Sequence, residues 1–228
     1  MNNLNEILYT IAQSLPGFLL AIVAHEAAHA WMADKFGDPT AKNLGRMSLN
    51  PAVHYDPWGT IFFPLLGAVL SWGMIIGWAK PVPVESRNFK NYRSGMFWVS
   101  FAGPLANLIL GTLSAVLIGL LVRFGQEWDY ARVFLEMLQY SVLINFVLAF
   151  FNLIPLPPLD GSKMISSFLK GPALRKYEDF ARYTPVIFMG VFMLSFMGIS
   201  TLGYLLQPAH KLANYMMFSF VGLIGGIG

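Results

Sequence analysis

A chain of 228 residues with 56% hydrophobic and only 12% charged side chains is too apolar for a soluble domain, which carries about twice that share of charge. Several apolar stretches reach the roughly 20 residues that a helix needs to cross a bilayer, so we predict a multi-pass membrane protein. The net charge of +3 is too small to indicate a nucleic-acid-binding protein, and the absence of cysteine excludes disulfides and thiolate metal ligands.

The first predicted helix covers residues 5–36 and ends at a Gly-Asp-Pro sequence, since proline cannot continue a helix. It contains His25-Glu26-Ala-Ala-His29, an HExxH motif. Histidines four residues apart share one helix face and can reach one metal ion, with Glu26 placed to deprotonate a water bound there. These are the only acidic or basic side chains between residues 7 and 31, where such groups are costly. A chance HExxH on a core helix is therefore the weaker interpretation.

Two segments of mixed character follow the first helix. Residues 38–57 are polar and turn-rich. Their His54 is either an ordinary loop residue or a residue that lies beside a catalytic site. Residues 58–79 are apolar but interrupted by proline and glycine, and we expect them to be re-entrant or only partly inserted in the membrane. Residues 75–84 combine β-branched residues with prolines, which predicts an extended segment or an edge strand that could pair with an unwound peptide.

Two further spans are predicted over residues 94–122 and 133–154. The first contains Asn107, an amide at membrane depth that we interpret as an interhelical hydrogen-bonding residue rather than a substrate contact. The second ends in Asn152-Leu-Ile-Pro-Leu-Pro-Pro-Leu-Asp160-Gly, whose prolines must break the helix. Unwound backbone at this depth is tolerated where it is buried in protein or lines a wet cavity. Asp160 is therefore either a ligand presented from a fixed turn or an ordinary residue of a turn that ends the helix at the membrane surface.

The end of the chain is predicted to add one or two helices over residues 184–227. We expect one span over 184–206, with residues 209–227 as a short last span. No long polar block exists to build a separate soluble domain. The expected organisation is one integral membrane domain over residues 1–228, with its core over about 5–165.

A metal site built on HExxH needs a third ligand, because catalytic zinc usually has three protein ligands and a water. Without cysteine, that ligand must be another histidine or a carboxylate. Asp160 is the best candidate, since it follows a proline-broken span. The alternative is another class of membrane HExxH protease with a later glutamate as ligand, but Glu127, Glu136 and Glu178 lie in no comparable motif.

With these motifs the sequence resembles the site-2 protease family of intramembrane zinc metalloproteases. The resemblance lies in the HExxH motif, in Gly103-Pro-Leu-Ala-Asn107, and in the segment from Asn152 to Asp160, in this order. It implies one zinc ion per chain, a catalytic base and a contact to the substrate backbone. The residues implied are His25, His29 and Asp160 as zinc ligands, Glu26 as the base and Asn152 as the substrate contact.

The resemblance also implies an all-α polytopic membrane protein with a three-helix catalytic core. Its substrate would be a transmembrane segment of another membrane protein, cleaved within the bilayer in regulated proteolysis or in clearance of membrane peptides. Helical hydrogen bonds shield such a segment, so local unwinding must precede cleavage. The sequence looks like a minimal form of the family, without an inserted PDZ domain.

Two rival functions are a membrane zinc transporter, which would need polar residues along several helices, and a non-catalytic scaffold, which would not need an intact HExxH.

The positions of the motifs also predict the topology. If residues 58–79 crossed the membrane, His29 and Asp160 would lie near opposite faces of a hydrocarbon core roughly 30 Å thick and could not share one ion. A re-entrant stretch places both on one side, together with Lys35, Lys42, Arg46, Lys80, Arg87, Lys90, Arg93, Lys163, Lys170, Arg175, Lys176 and Arg182. The other side holds Arg123, Arg132 and Lys211. By the positive-inside rule we expect the amino terminus outside the cytoplasm and the zinc nearer the cytoplasmic face of a bacterial-type cell membrane.

Overall fold

The computed structural model describes residues 4–69, 77–125 and 127–226, and over these residues it contains helices and loops but no strand. The helices are α1 (Leu4–Phe36), α2 (Thr40–Asn43), α3 (Phe63–Val69), α4 (Tyr92–Phe124), α5 (Ala131–Asn152), α6 (Asp160–Phe168), α7 (Gly171–Ala181), α8 (Thr184–Phe196) and α9 (Thr201–Gly225). Single turns of 3-10 helix at Pro51–Val53 and Ser86–Asn88, and a π-helical turn at Pro57–Phe62, lie between them.

Within the described ranges, three helices are long and apolar enough to cross a bilayer: α1, α4 and α5. At 1.5 Å per residue, the 33 residues of α1 and of α4 extend for about 50 Å, and the 22 of α5 for about 33 Å. Each of them covers the roughly 30 Å of a hydrocarbon core. The prediction of an all-α polytopic membrane protein with three core helices is therefore confirmed.

Helix α4 lies at the centre of the bundle and packs against α1, α5, α6 and α9. Small residues bring the helix backbones close together, as is usual in membranes. A Cβ atom added at Gly119 of α4 would lie 2.5 Å from the carbonyl oxygen of Phe220 in α9. Added at Gly17 of α1, it would lie 2.9 Å from the Cα of Ser141 in α5. These close crossings hold α1, α4, α5 and α9 in one bundle.

The stretch predicted to be re-entrant begins and ends at the same place. The backbone N–H of Trp78 donates to the carbonyl of Gly59 at 3.0 Å, and the hydroxyl of Thr60 donates to the carbonyl of Trp78 at 3.1 Å. The chain between these residues therefore returns to the point that it left, as a re-entrant segment does. Residues 77–85 then continue without helix or strand, so no edge strand forms there; residues 75 and 76 of the predicted extended segment lie outside the described residues.

The predicted boundary between the two C-terminal segments is wrong. A single span was expected over 184–206, but α8 ends at Phe196 and α9 begins at Thr201. Gly198, in the break, has a φ of +86°, a conformation that glycine adopts without steric cost and that ends a helix. Pro208, where a break was expected, lies inside α9. With 13 residues, α8 extends for only about 20 Å and is too short to cross a bilayer.

Candidate metal centre

The side chains of His25, His29 and Asp160 meet in the interior of the protein. The two histidines lie one turn apart on α1, and Asp160 is the first residue of α6. The Nε2 atoms of the histidines are 3.0 Å apart, and Oδ2 of Asp160 lies 3.1 Å from that of His25 and 3.2 Å from that of His29. Each residue is only 7% exposed. Asp160 is therefore buried beside the histidines rather than in a turn at the surface.

The hydrogen bonds on the far side of each imidazole determine its tautomer. Nδ1 of His25 lies 2.7 Å from the amide oxygen Oδ1 of Asn107, and Nδ1 of His29 lies 2.7 Å from the backbone carbonyl of Val99. A carbonyl oxygen only accepts hydrogen bonds, so each Nδ1 carries the proton. Each Nε2 consequently presents a lone pair to the other and to the carboxylate of Asp160. Three electron-rich atoms this close repel one another unless a cation lies among them.

The spacing of these three atoms suits zinc. Zinc binds histidine nitrogen and carboxylate oxygen at about 2.0 Å in tetrahedral sites, which places neighbouring ligand atoms about 3.3 Å apart. The observed separations of 3.0 to 3.2 Å are close to that value. Over the described residues, His25, His29 and Asp160 are the group of acidic and histidine side chains that could hold a metal ion.

Gly103 of α4 provides the space for both imidazoles. A Cβ atom added there would lie 2.6 Å from Cε1 and 2.7 Å from Nε2 of His25, and would overlap Nε2 of His29. The atoms that approach Gly103 are therefore on the Nε2 edges of the two histidine rings, the edges that face each other and Asp160. Any larger residue at this position would displace the proposed ligands.

Asn107 joins three helices through its amide group. Its nitrogen donates to the carbonyl of Ala21 in α1 at 3.0 Å and to Oδ1 of Asn145 in α5 at 2.9 Å, which leaves its oxygen for His25. Asn145 donates in turn to the carbonyl of Ser141 at 2.8 Å. Asn107 and Asn145 are fully buried. Asn107 thus makes the expected interhelical bonds, and its position beside His25 gives those bonds a role in the site.

Glu26 follows His25 on α1 and is partly buried. Its Oε2 atom accepts a hydrogen bond from the backbone N–H of Val82 at 2.7 Å. The segment that follows the re-entrant stretch therefore lies directly against the HExxH helix.

The remaining predicted site residues, His54 and Asn152, are not part of this cluster. His54 is fully buried, with Nε2 donating to the carbonyl of Ser48 at 2.8 Å and Nδ1 without a partner among the described residues. Asn152 is the last residue of α5, and its amide nitrogen donates to the carbonyl of Leu148 at 3.0 Å. Neither residue belongs to the three-residue group.

Glu136, one of the alternatives to Asp160 as third ligand, is remote from the histidines. It accepts a hydrogen bond from the hydroxyl of Tyr9 at 2.6 Å and pairs with Arg132 at 3.2 Å. Tyr9 precedes His25 by 16 residues on α1, about 24 Å along the helix axis. The structure therefore excludes Glu136 from the cluster.

Three contributors to the site were not singled out from the sequence: Val99, Asn145 and Val82. Asn145 had a usable signal, since a buried amide in an apolar span needs partners. Val99 and Val82 act through a backbone carbonyl and a backbone N–H, which every residue except proline possesses. Their side chains therefore carried no indication of this role.

Comparisons with known proteins show which family the chain belongs to. The profile of peptidase family M50 matches residues 14–131 and 121–197. The chain is 35% identical over 196 residues to YwhC of Bacillus subtilis, named as a candidate zinc metalloprotease, and the match covers 83% of this chain and 86% of YwhC. No solved structure matches the chain significantly.

Two mycobacterial proteins named Rip2, also candidate zinc metalloproteases, are more distant. The protein from Mycolicibacterium smegmatis is 32% identical over 154 residues, covering 64% of this chain and 53% of the relative. That from Mycobacterium tuberculosis H37Rv is 28% identical over 180 residues, covering 78% and 66%. The family profile and the similarity to YwhC over most of both chains show that the chain belongs to peptidase family M50, the site-2 protease family of membrane zinc metalloproteases.

Proposed function

We propose that this membrane zinc metalloprotease is an intramembrane endopeptidase that cleaves transmembrane segments of other membrane proteins. The observation that carries the proposal is the burial of the His25–His29–Asp160 cluster inside a bundle of spanning helices. His29 precedes the end of α1 by seven residues, about 10 Å of helix. A site at that depth, enclosed by α1, α4 and α6, is suited to a peptide bond within the membrane rather than to a soluble protein.

The proposed zinc ligands are His25, His29 and Asp160. When bound, zinc supplies a Lewis acid for the scissile carbonyl and lowers the pKa of the attacking water. Glu26 accepts the proton of that water and returns it to the nitrogen of the leaving amine. Asn107 and the carbonyl of Val99 keep the two imidazoles in the tautomer and orientation that ligation needs.

The substrate backbone has to be unwound before cleavage, because the hydrogen bonds of a helix shield its peptide bonds. Residues 77–85 are neither helix nor strand and adjoin Glu26 through Val82. We propose that this segment pairs with the unwound substrate by strand addition. Asn152, where α5 ends, is proposed to contact the substrate backbone, and the buried His54 to support the site from the neighbouring loop.

The proposed topology has the amino terminus outside the cytoplasm and the zinc site nearer the cytoplasmic face of a bacterial-type cell membrane. Two observations support it: the bond between Trp78 and Gly59 brings the ends of the re-entrant stretch together, and His29 and Asp160 lie side by side. The packing of α9 on α4 and α5 supports one domain rather than a separate C-terminal unit.

The test is cleavage of single-span membrane proteins from the same cell by the purified, reconstituted protein, with Glu26→Gln as control. The wild type should cleave within the transmembrane segment, and mass spectrometry of the fragments locates the bond. Glu26→Gln should retain zinc and lose cleavage, because an amide does not accept the proton of the water. Undiminished cleavage by Glu26→Gln would contradict the mechanism. Zinc flux into vesicles without any proteolysis would favour a transporter.

A further inference from the structure

We infer that the backbone N–H of Val82 positions the carboxylate of Glu26. This N–H belongs to residues 80–85, an anchored segment that we call the strap. The inference rests on the proposed role of Glu26 as catalytic base. It adds a second element to the site, because the strap lies outside the HExxH helix and outside the zinc ligands. It also assigns a purpose to the Lys-Pro-Val-Pro-Val-Glu sequence of the strap.

The contact itself is short and specific. The N–H of Val82 lies 2.7 Å from Oε2 of Glu26, the usual length of a hydrogen bond to a charged acceptor. Val82 stands between Pro81 and Pro83, and proline has no N–H. The donor that faces Glu26 is therefore the only backbone donor in these three residues. The side chain of Val82 is 9% exposed and packs with Ala30 of α1, which fixes the distance between strap and helix.

The strap is anchored before Val82 by two residues of the loop between α1 and the re-entrant stretch. The N–H of Lys80 donates to the carbonyl of His54 at 2.9 Å. The guanidinium of Arg46 donates to the carbonyl of Lys80 at 2.6 Å. The N–H and the carbonyl of Lys80 are thus both hydrogen-bonded, so this end of the strap has a defined orientation.

The strap is anchored after Val82 by Asp38, which directly follows the turn that ends α1. Oδ2 of Asp38 accepts the N–H of Glu85 at 2.7 Å, and Oδ1 accepts the side-chain amide of Asn88 at 2.9 Å. Burial disfavours the charge of this carboxyl, but the hydrogen bonds from Thr40, Asn88 and Glu85 hold the pKa of Asp38 below its usual value. Asp38 is therefore an ionised, fully buried anchor that ties the strap to α1.

Because the strap is anchored at both ends, it holds the N–H of Val82 against Oε2 of Glu26. The other oxygen, Oε1, then takes the proton from the water and passes it to the leaving amine. A glutamate on its own samples several side-chain rotamers, few of which suit proton transfer. Small misplacements of a catalytic group lower the rate by up to about 100-fold. Loss of the Val82 N–H should therefore reduce turnover more than substrate binding.

The kinetic test compares Val82→Pro, which removes the N–H, with Val82→Ala, which keeps it. Val82→Pro should lower kcat by about 10- to 100-fold, with KM within about twofold of the wild type and zinc content unchanged. Val82→Ala keeps the N–H and loses only part of the packing on Ala30, so it should lower kcat by a smaller factor than Val82→Pro. A rise in KM with an unchanged kcat in Val82→Pro would overturn the inference, since it would assign the N–H to the substrate.

A double-mutant comparison separates positioning from a general structural effect. The carboxylate of Glu26→Asp is one methylene shorter and should lose the bond to Val82 on its own. Adding Val82→Pro to Glu26→Asp should then lower kcat little further. If Val82→Pro lowers kcat by as large a factor in Glu26→Asp as in the wild type, the inference is contradicted.

Amide hydrogen exchange tests the contact without cleavage and without a variant of the strap. In the reconstituted protein, exchange at Val82 should become severalfold faster in Glu26→Ala. It should remain unchanged in Glu136→Ala, an acidic control on α5 that contacts Tyr9 near the amino-terminal end of α1. Equal exchange at Val82 in the wild type and in Glu26→Ala would overturn the inference. Equal exchange at Val82 in a preparation whose wild type cleaves normally would contradict only the inference about Val82. Absence of any cleavage by the wild type would contradict only the proposed function.

Discussion

His25 and Asn107 are joined by a hydrogen bond of 2.7 Å between Nδ1 of the imidazole and Oδ1 of the amide, although 82 residues separate them in the chain. The bond links the HExxH helix to the central helix of the bundle. Because the amide nitrogen of Asn107 is already bonded to Ala21 and Asn145, only its oxygen is available to His25. The proton of the imidazole is thereby held on the side away from the proposed metal.

Replacing Asn107 should weaken zinc binding without removing a ligand. Asn107→Ala should lower zinc affinity by about 10- to 100-fold, as is usual for partners of metal-bound histidines. Competition with a chelator of known affinity measures the change. Thr112→Ala is the matched control, because the hydroxyl of Thr112 bonds only within α4, to Leu108. Equal affinities in Asn107→Ala and the wild type would show that the bond does not support the site.

Gly103→Ala should abolish zinc binding and activity together. Alanine favours a helix more than glycine does, so an unpacked position would tolerate this change or gain stability. Here the added methyl group would collide with the Nε2 edges of His25 and His29. Metal analysis and a cleavage assay measure the two effects. In Gly190→Ala, where no atom of the described residues lies within 4 Å of the added carbon, both properties should be retained. Full zinc occupancy in Gly103→Ala would contradict the proposed arrangement.

Asp160→Ala should lower zinc content and activity in parallel, because it removes one of three proposed ligands. Chelation followed by added zinc should restore the wild type but not this variant. The control is Asp179→Ala, which changes an exposed carboxylate of α7 whose contact is a surface pair with Arg182 at 3.2 Å. Tightly held zinc at full stoichiometry in Asp160→Ala would exclude this residue from the ligands.

The contact between Gly59 and Trp78 supports the proposed re-entrant topology, in which the loops before and after this segment lie on one side of the membrane. Single cysteines at Lys42 and Arg87, both exposed, should be labelled by an impermeant reagent from the same side. A cysteine at Arg123, near the end of α4, should be labelled from the opposite side. The chain has no native cysteine, so each signal has one source. Labelling of Lys42 and Arg87 from opposite sides would refute the topology.

Local features of the sequence were enough to predict the three core helices and two of the three proposed metal ligands. Length and hydropathy identify α1, α4 and α5, because a bilayer requires about 20 apolar residues whatever the neighbouring helices are. Helical spacing alone puts His25 and His29 on one face. The prolines after Asn152 end α5, because a chain without those N–H groups cannot continue the helix.

Only the tertiary structure placed Asp160 beside the histidines rather than in a surface turn, since 131 residues separate it from His29. It also revealed the carbonyl of Val99 and the N–H of Val82, which the sequence does not distinguish from any other backbone groups. The boundary between α8 and α9 was mispredicted for a related reason. Glycine and proline both permit a break, and the chain turns at Gly198 while Pro208 is accommodated inside a helix packed on α4 and α5. Such choices depend on contacts between distant segments, which local sequence does not encode.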